Sequence, residues 1–293
     1  MERIIQEFTG GFTGYWNYLT GEMFHPSWRN YFWWLLGLSL FVWMLEAIFP
    51  WRKSQPVIRK DFWLDGFYMF FNFFLFSLIG YNALSNVAVL LFRDFLRGFG
   101  VENLVTIEVY SWPGWAQMMM LFVVSDFLQW CIHWLLHRVP ALWEFHKVHH
   151  SVREMGFAAH LRYHWMETVV YKGLQYMPLA MIGFSLEDFF IVHIASVAIG
   201  HFNHANLNIT WGPLRYLFNS PSMHIWHHAR HLPEGVRGVN YGISLSLWDH
   251  LFGTAWVPRS GRDEALGFPG DEDFPKGFSG QVIYPFHKKT SPE

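Results

Sequence analysis

The chain has 293 residues, of which 52% are hydrophobic, 20% aromatic and 15% charged, and this small charged share is typical of a membrane protein rather than a soluble domain. The formal net charge of −2 argues against nucleic acid as a partner, because phosphate binding needs a concentrated basic surface. Cys131 is the one cysteine, which excludes an intramolecular disulfide.

The first apolar segment runs from about Tyr31 to Pro50, close to the roughly 20 residues that a helix needs to cross a bilayer. Residues 1–30 lack the features of a signal peptide, which are a basic start, a short apolar core and a cleavage site. Membrane insertion is therefore expected to depend on the internal apolar segments. Four basic residues follow the first segment and predict a cytoplasmic loop, namely Arg52, Lys53, Arg59 and Lys60.

The second apolar stretch, residues 62–95, is too long for one upright helix and is interpreted as a spanning helix plus a re-entrant or interfacial piece. Residues 98–114 contain Glu102 and Glu108 but no basic residue, which favours the outer side. A third span, from Trp115 to about Leu136, then returns to the inner side, where basic residues again follow it.

A fourth apolar stretch, from Thr168 to about Phe202, contains Pro178 and Gly183 near its middle and predicts a helical hairpin. Together these segments predict an all-α integral membrane bundle of about four to five spanning or hairpin helices with a cytosolic histidine-rich cap. The predicted division is an N-terminal membrane region (1–114), a histidine-rich region (115–258, including the membrane hairpin 168–202) and a polar C-terminal tail (259–293).

Eight of the seventeen histidines form three short boxes. Residues three and four apart share a helix face, so each box would direct its imidazoles towards one point. A structural or hydrolytic zinc site uses three or four protein ligands, whereas eight histidines suffice for two metals with open positions. The boxes are His133-x3-His137, His146-x2-His149-His150 and His224-x2-His227-His228. The predicted topology puts all three on the same side of the membrane.

Imidazole suits zinc, copper, iron and nickel, so the boxes alone do not choose the metal. Two nearby irons are the economical interpretation, because paired iron can activate dioxygen for attack on an unactivated C–H bond. A membrane location points to a lipid as the source of that bond.

Other histidines and several carboxylates are candidates for the same site. His204 is the favoured further ligand, and His201 is the second choice. His160 and His164 are candidates either for metal ligands or for residues that support the ligands. Metal-bound imidazoles commonly donate their second ring N–H to a carboxylate. Candidates for that role, which would support catalysis, are Asp126, seven residues before His133 in an apolar span, together with Glu144, Glu167 and Asp249.

Several motifs in fixed order resemble the fatty acid hydroxylase and sterol desaturase superfamily of membrane non-haem di-iron enzymes. They cover about residues 115–258 and comprise D-x6-HWLLH from Asp126, HKVHH, RYHWME, NHANL, SPSMHIWHH and NYGISLSLWDHLFGT. The resemblance implies nine metal ligands, which are His133, His137, His146, His149, His150, His204, His224, His227 and His228. His201 and His164 are further candidates. Trp165 departs from the pattern, since many relatives have proline there.

The resulting hypothesis is a membrane-bound oxygenase with two Fe ions that hydroxylates or desaturates a sterol, fatty acyl or related lipid. Electrons are expected from an external ferredoxin, cytochrome or reductase, because the sequence contains no dinucleotide-binding glycine fingerprint. Zinc would replace iron in a purified sample, since it generally binds imidazole sites more tightly than ferrous iron.

The main alternative is a histidine-rich membrane metal transporter or metal-binding protein, which would place its ligands along a path at the membrane midplane. A zinc hydrolase is less favoured, because a base next to the ligands, as in His-Glu-x2-His, is absent from the sequence.

Overall fold

The regular secondary structure of this chain is helical. A computed structural model describes residues 1–28, 30–73, 75–76, 87, 90–91, 94–100, 109–182, 184 and 186–287. Within these ranges the only β pairing consists of two isolated bridges, Phe218 with Leu245 and Ala229 with Leu266. The predicted all-α class is therefore confirmed.

Ten α-helices are described in full. In chain order they are α1 (Glu2–Phe24), α2 (Tyr31–Ile48), α3 (Phe62–Phe70), α4 (Gly114–Arg138), α5 (Pro140–His150), α6 (Trp165–Met181), α7 (Leu186–His204), α8 (Pro221–His227), α9 (Leu247–Leu251) and α10 (Phe278–His287). Short 3-10 helices lie at Val109–Ser111, Phe157–Leu161 and Gly212–Tyr216.

Two of the described helices, α2 and α4, are long and apolar enough to cross a membrane. This is fewer than the four to five spans expected from the sequence, so a multi-pass bundle with a cytosolic cap stays a prediction. The predicted hairpin 168–202 corresponds to α6 and α7. Neither of these helices is among the two candidate spans. Helix α6 has only 17 residues, and the acidic residues and three histidines of α7 lower its apolar character.

Many residues of the second apolar stretch, 62–95, lie outside the described residues, and so do Glu102 and Glu108. The predicted spanning helix with a re-entrant or interfacial piece therefore stays a prediction. Helix α3 accounts for the start of that stretch.

The end of α4 and the start of α5 follow from local chain chemistry. Val139 is extended, as expected for a residue that precedes proline, and Pro140 occupies the first turn of α5, where its missing N–H costs nothing. As a result, α4 continues through His137 and α5 begins almost at once. The first two histidine boxes are thereby held on two consecutive, contacting helices.

Helix α4 is central to the packing, because it contacts α5, α6 and α7. Helix α7 also packs against α2, α8 and the 3-10 helix Phe157–Leu161. Glu46 of α2 shows how this packing is fixed, since its carboxylate accepts the backbone N–H of Phe157 at 2.9 Å and of Asn206 at 2.7 Å. The single charge of the first apolar segment therefore ties α2 to the two segments that flank the histidines.

Two parts of the fold were not anticipated. Residues 1–30 contain α1, which packs against α2. The segment expected to be a polar tail includes α10, which packs against α5. Gln281 of α10 accepts the hydroxyl of buried Tyr68 at 2.9 Å, and Phe278 packs against the Tyr68 ring.

Candidate metal centre

Nine buried histidines form two adjacent groups. The ligand nitrogens within each group lie within 4.8 Å of one another. The first group is His133, His137, His146, His150 and His227, and the second group is His149, His204, His224 and His228. Each group draws residues from more than one sequence box, so the boxes interleave and no box forms a site alone.

Four helices supply these side chains. Helix α4 contributes His133 and His137, one turn apart, and α5 contributes the whole of the second box. His204 is the last residue of α7. Helix α8 contributes His224 and His227, and His228 is its C-terminal cap. The start of α8 is fixed by Ser220, whose side chain accepts the N–H of Met223 at 3.3 Å, as an N-cap residue does.

The inner ring nitrogens face one another across each group. In the first group, Nε2 of His133 lies 3.2 Å from Nε2 of His146. In the second group, Nε2 of His204 lies 3.2 Å from Nε2 of His149 and 3.0 Å from Nε2 of His224. Converging imidazole lone pairs of this kind are the donor set of a metal site.

Buried nitrogens without a hydrogen bond point to the same conclusion. Nε2 of His137 and both ring nitrogens of His228 are buried and have no hydrogen-bond partner. Buried polar atoms are normally paired. A metal ion in each group would satisfy Nε2 of His137 and one ring nitrogen of His228, so the residues present fit two bound metals.

The outer ring nitrogens are anchored by backbone carbonyls, which only accept, so each Nδ1 must carry the proton. This tautomer leaves Nε2 free to bind a metal. The five donations run from His133 to Tyr241 at 2.7 Å, His227 to Val239 at 2.7 Å, His204 to Gly200 at 2.8 Å, His149 to Arg162 at 3.0 Å and His137 to Arg237 at 3.3 Å.

Glu167 anchors His146 of the first group. Its Oε2 lies 2.8 Å from Nδ1 of His146, and its Oε1 accepts the backbone N–H of His164 at 3.3 Å. Burial raises the pKa of the Glu167 carboxyl to about 8. A metal on Nε2 of His146 would favour the ionised carboxylate, because that form accepts the Nδ1 proton.

The other two predicted carboxylates hold backbone rather than histidines. Asp126 accepts the N–H groups of Ser244 and Leu245 and the indole N–H of Trp248, at 2.9–3.2 Å. Asp249 accepts the N–H groups of Tyr241 and Gly242 at 2.9 and 2.8 Å. Both therefore fix the segment 240–254, whose Tyr241 carbonyl orients His133.

Burial also keeps the imidazoles outside the candidate spans neutral. It lowers the pKa of His149 to about 3 and the pKa values of His150, His227 and His228 well below 6.5. Neutral imidazole is the form that binds metals.

Three further histidine candidates, His160, His164 and His201, lie outside both groups. For His201 and His164 both ring nitrogens have partners. His201 contacts Ser39 through Nε2 at 3.0 Å and His160 through Nδ1 at 3.1 Å. His164 donates from Nε2 to the carbonyl of Val282 at 2.9 Å and accepts the N–H of Met166 at 3.1 Å. Both ring nitrogens of each residue are thus engaged away from the groups. Glu144, also a candidate, pairs with Lys147 at 2.6 Å.

A buried ion network supports the carbonyl of Arg162, which orients His149. The Arg162 guanidinium contacts Asp65 at 3.2 Å and Asp61 at 3.0 Å, and Arg59 also pairs with Asp65. A side chain at Gly156 would collide with the Arg59 guanidinium. Glycine at position 156 therefore leaves room for the Arg59 side chain, and so for this network, beside the site.

A cavity of about 480 Å³ leads from the histidines to α1 and α2. Its metal-facing wall includes members of both groups, His133 and His146 from the first and His149, His204 and His224 from the second. Its lining also includes Tyr15 and Leu19 of α1 and the apolar side chains of Phe73, Val192 and Val197. A ligand in this cavity would reach both groups.

Sequence reasoning missed the parts of the site that side-chain motifs do not encode. The anchoring carbonyls of Val239, Tyr241 and Arg237 carry no residue-type signal. Asn240 has a φ of +53°, a conformation that asparagine tolerates better than most residues, and this position in the NYG run offered an indirect clue to the turn.

Residues 118–254 match the model of the fatty acid hydroxylase family. Ornithine lipid hydroxylase OlsE of Rhizobium tropici is 34% identical over 183 residues, which cover 62% of this chain and 54% of that protein. Alkylglycerol monooxygenase of Homo sapiens is 30% identical over 223 residues, covering 72% of this chain and 44% of its own length. The chain thus matches about half the length of these curated relatives. No solved structure shows a significant match.

Proposed function

Because residues 118–254 match the model of the fatty acid hydroxylase family, we propose that the chain is a membrane-bound di-iron oxygenase that hydroxylates or desaturates a lipid C–H bond. The observation that carries this proposal is the pair of buried histidine groups with inward-facing Nε2 atoms. Two bound irons would supply the reduction of dioxygen and the removal of hydrogen from the lipid.

The protein's own residues have three roles in this proposal. The nine histidines hold the metals. The carbonyls of Tyr241, Val239 and Arg162, together with Glu167, keep four of the rings in the binding tautomer, those of His133, His227, His149 and His146. The cavity places the lipid against both groups.

A lipid substrate is supported by the cavity wall and by the relatives. Leu19, Phe73, Val192 and Val197 present an apolar surface suited to an acyl or alkyl chain. The names of two relatives state lipid substrates, ornithine lipid and alkylglycerol. We therefore propose a sterol, fatty acyl or related lipid as the substrate class.

Hydroxylation uses one oxygen atom for the product and one for water, so it consumes two electrons and two protons from outside the lipid. Among the described residues there is no haem-binding or dinucleotide-binding module, and we propose an external ferredoxin, cytochrome or reductase as the electron donor. We further propose an integral, multi-pass protein with the metal centre on the cytoplasmic face, supported by α2, α4 and the basic residues that follow them.

Lipid profiling under isotopically heavy dioxygen tests the proposal. Cells would express the intact chain, a His149→Ala/His150→Ala variant, or the control His231→Ala, which changes an exposed histidine outside both groups. A lipid carrying one heavy oxygen with the intact chain and the control identifies a hydroxylase. Unlabelled product that lacks two hydrogens identifies a desaturase. Equal lipid profiles in all three, with a competent electron donor present, would overturn the oxygenase and favour a metal-handling protein.

A further inference from the structure

His160 lies beside the second group without belonging to it. Its ring centroid is 5.1 Å from that of His204. It lines the same cavity as His149, His204 and His224. The position of this imidazole, next to a group of four histidines, raises the question of what its free nitrogen does.

The two ring nitrogens of His160 have different environments. Nδ1 faces outwards and pairs with Nδ1 of His201 at 3.1 Å. Nε2 of His201 in turn contacts the hydroxyl of Ser39 at 3.0 Å. No hydrogen bond engages Nε2 of His160 within the described residues, whereas both nitrogens of His201 are occupied. His160 is therefore presented to the cavity, and His201 holds it there.

Gly200 shows that the approach of His160 is built into α7. A Cβ atom at Gly200 would fall 2.2 Å from Cε1 and Nε2 of His160, so any side chain there would displace the ring. Glycine inside a helix is less favourable than alanine. The Gly200 carbonyl also accepts Nδ1–H of His204 at 2.8 Å. One glycine thus admits the His160 ring and orients a member of the second group.

We propose that His160 is a fifth imidazole for the metal held by the second group, and that His201 and Ser39 position it. The first group has five histidines and the second has four, so this assignment gives both metals the same number of imidazoles. The inference rests on the proposed metal centre, but it does not depend on which lipid is oxidised.

Metal retention by the purified full-length protein tests the assignment without measuring activity. Cobalt(II) serves as the probe, because its visible absorption responds to the number of ligands. We expect the intact protein to retain two cobalt ions against a chelator, and His160→Ala to lose one of them faster, with a changed absorption band. His193→Ala, which changes a histidine of the same cavity outside both groups, is the matched control and should behave like the intact protein.

A His160→Gln variant covers the case in which His160→Ala does not fold, since the amide can still contact His201 but is a poor metal ligand. Unchanged cobalt release and an unchanged spectrum in a folded His160 variant would overturn the assignment.

The positioning roles of His201 and Ser39 have their own test. We expect His201→Leu and Ser39→Ala to speed cobalt release from the second site about 10- to 100-fold, the usual effect of removing a residue that orients a ligand. In a His160→Ala background neither change should have a further effect. Additive effects in the double variants would overturn this part.

Variants of the groups themselves separate this inference from the proposed function. If His204→Ala and His150→Ala also retain both cobalt ions, the metal centre itself is refuted. If these two variants lose metal and the His160 variants do not, only the fifth imidazole is refuted.

Discussion

His146 is held by a carboxylate, whereas five other histidines of the centre are held by backbone carbonyls. A carboxylate that accepts the Nδ1 proton makes the opposite nitrogen more basic and fixes the ring orientation. Glu167 is therefore the carboxylate in direct contact with a candidate ligand. We infer that it strengthens metal binding by the first group.

Glu167→Gln is expected to weaken metal binding at the first group about 10- to 100-fold, because the amide keeps the shape of the side chain but loses the charge. Chelator competition with zinc or cobalt would measure the change. Glu234→Gln, at an exposed position, is the control. Equal affinity in Glu167→Gln and the intact protein would mean that Glu167 only fills space.

Acid should destabilise the metal-free protein. Burial lowers the pKa of His149 from an ordinary value of 6.5 to about 3, so between these values the unfolded chain binds a proton that the folded protein excludes. Stability is therefore expected to fall as the pH drops below about 6.5, by up to about 1.4 kcal/mol per pH unit for each such histidine. Chemical unfolding of the metal-free protein at several pH values would measure the slope. His149→Gln should reduce it, and an unchanged slope would contradict the expectation.

At the scale of elements, the segment 240–254 orients the site although most of it is irregular. Asp126 of α4 binds the backbone of Ser244 and Leu245. Asp249 of α9 closes the same segment on Tyr241. The carbonyl of Tyr241 then reaches back to His133 of α4. The helix that supplies ligands thus also holds the loop that orients them.

Asp126→Ala should destabilise the protein by about 3 kcal/mol or more, because it leaves several buried N–H donors without an acceptor. Asp126→Asn, which keeps one acceptor oxygen, should cost less. Thermal unfolding in detergent would measure both. The control is Asp263→Ala, whose carboxylate is exposed and bonds the adjacent Arg262. A loss as small as in the control would show that Asp126 does not hold the loop.

The sequence predicted what depends on residue type and spacing. The start of α2 at Tyr31, the extent of α4 and the eight histidines of the three boxes follow from apolar length and helical periodicity, whereas the full set of nine was implied by the family resemblance. Periodicity places His149 and His150 on one short helix, but it does not show that they serve different groups. That separation depends on how α5, α7 and α8 pack. Contacts to carbonyls, such as His227 to Val239, are also set by tertiary packing alone.

At the scale of the whole molecule, the cavity connects the N-terminal helices to the metal centre. Tyr15 and Leu19 of α1 and His133 of α4 line one continuous space. The region 1–30, which gave no functional signal in the sequence, thus contributes part of the cavity lining through Tyr15, Tyr18, Leu19 and Glu22. We infer that the N-terminal region shapes the substrate site, whereas the histidine motifs supply the chemistry.

Ser196→Phe should reduce product formation about 10-fold or more, because a bulky ring on the cavity wall would displace the reacting C–H bond. Metal content should not change, since Ser196 is not a member of either group. Ala195→Phe is the matched control, because Ala195 is the adjacent exposed residue of α7 and does not line the cavity. Equal turnover in both variants would indicate that the substrate takes another route.

The interleaving of the two groups also dictates the order in which the centre can be made. The first group spans His133 to His227 and the second spans His149 to His228, and the carbonyls that orient His133 and His227 come later still, at Tyr241 and Val239. A ribosome must therefore synthesise most of the chain before either metal has its full set of ligands. Both ions are expected to enter after translation of the whole histidine region, into helices that have already been inserted.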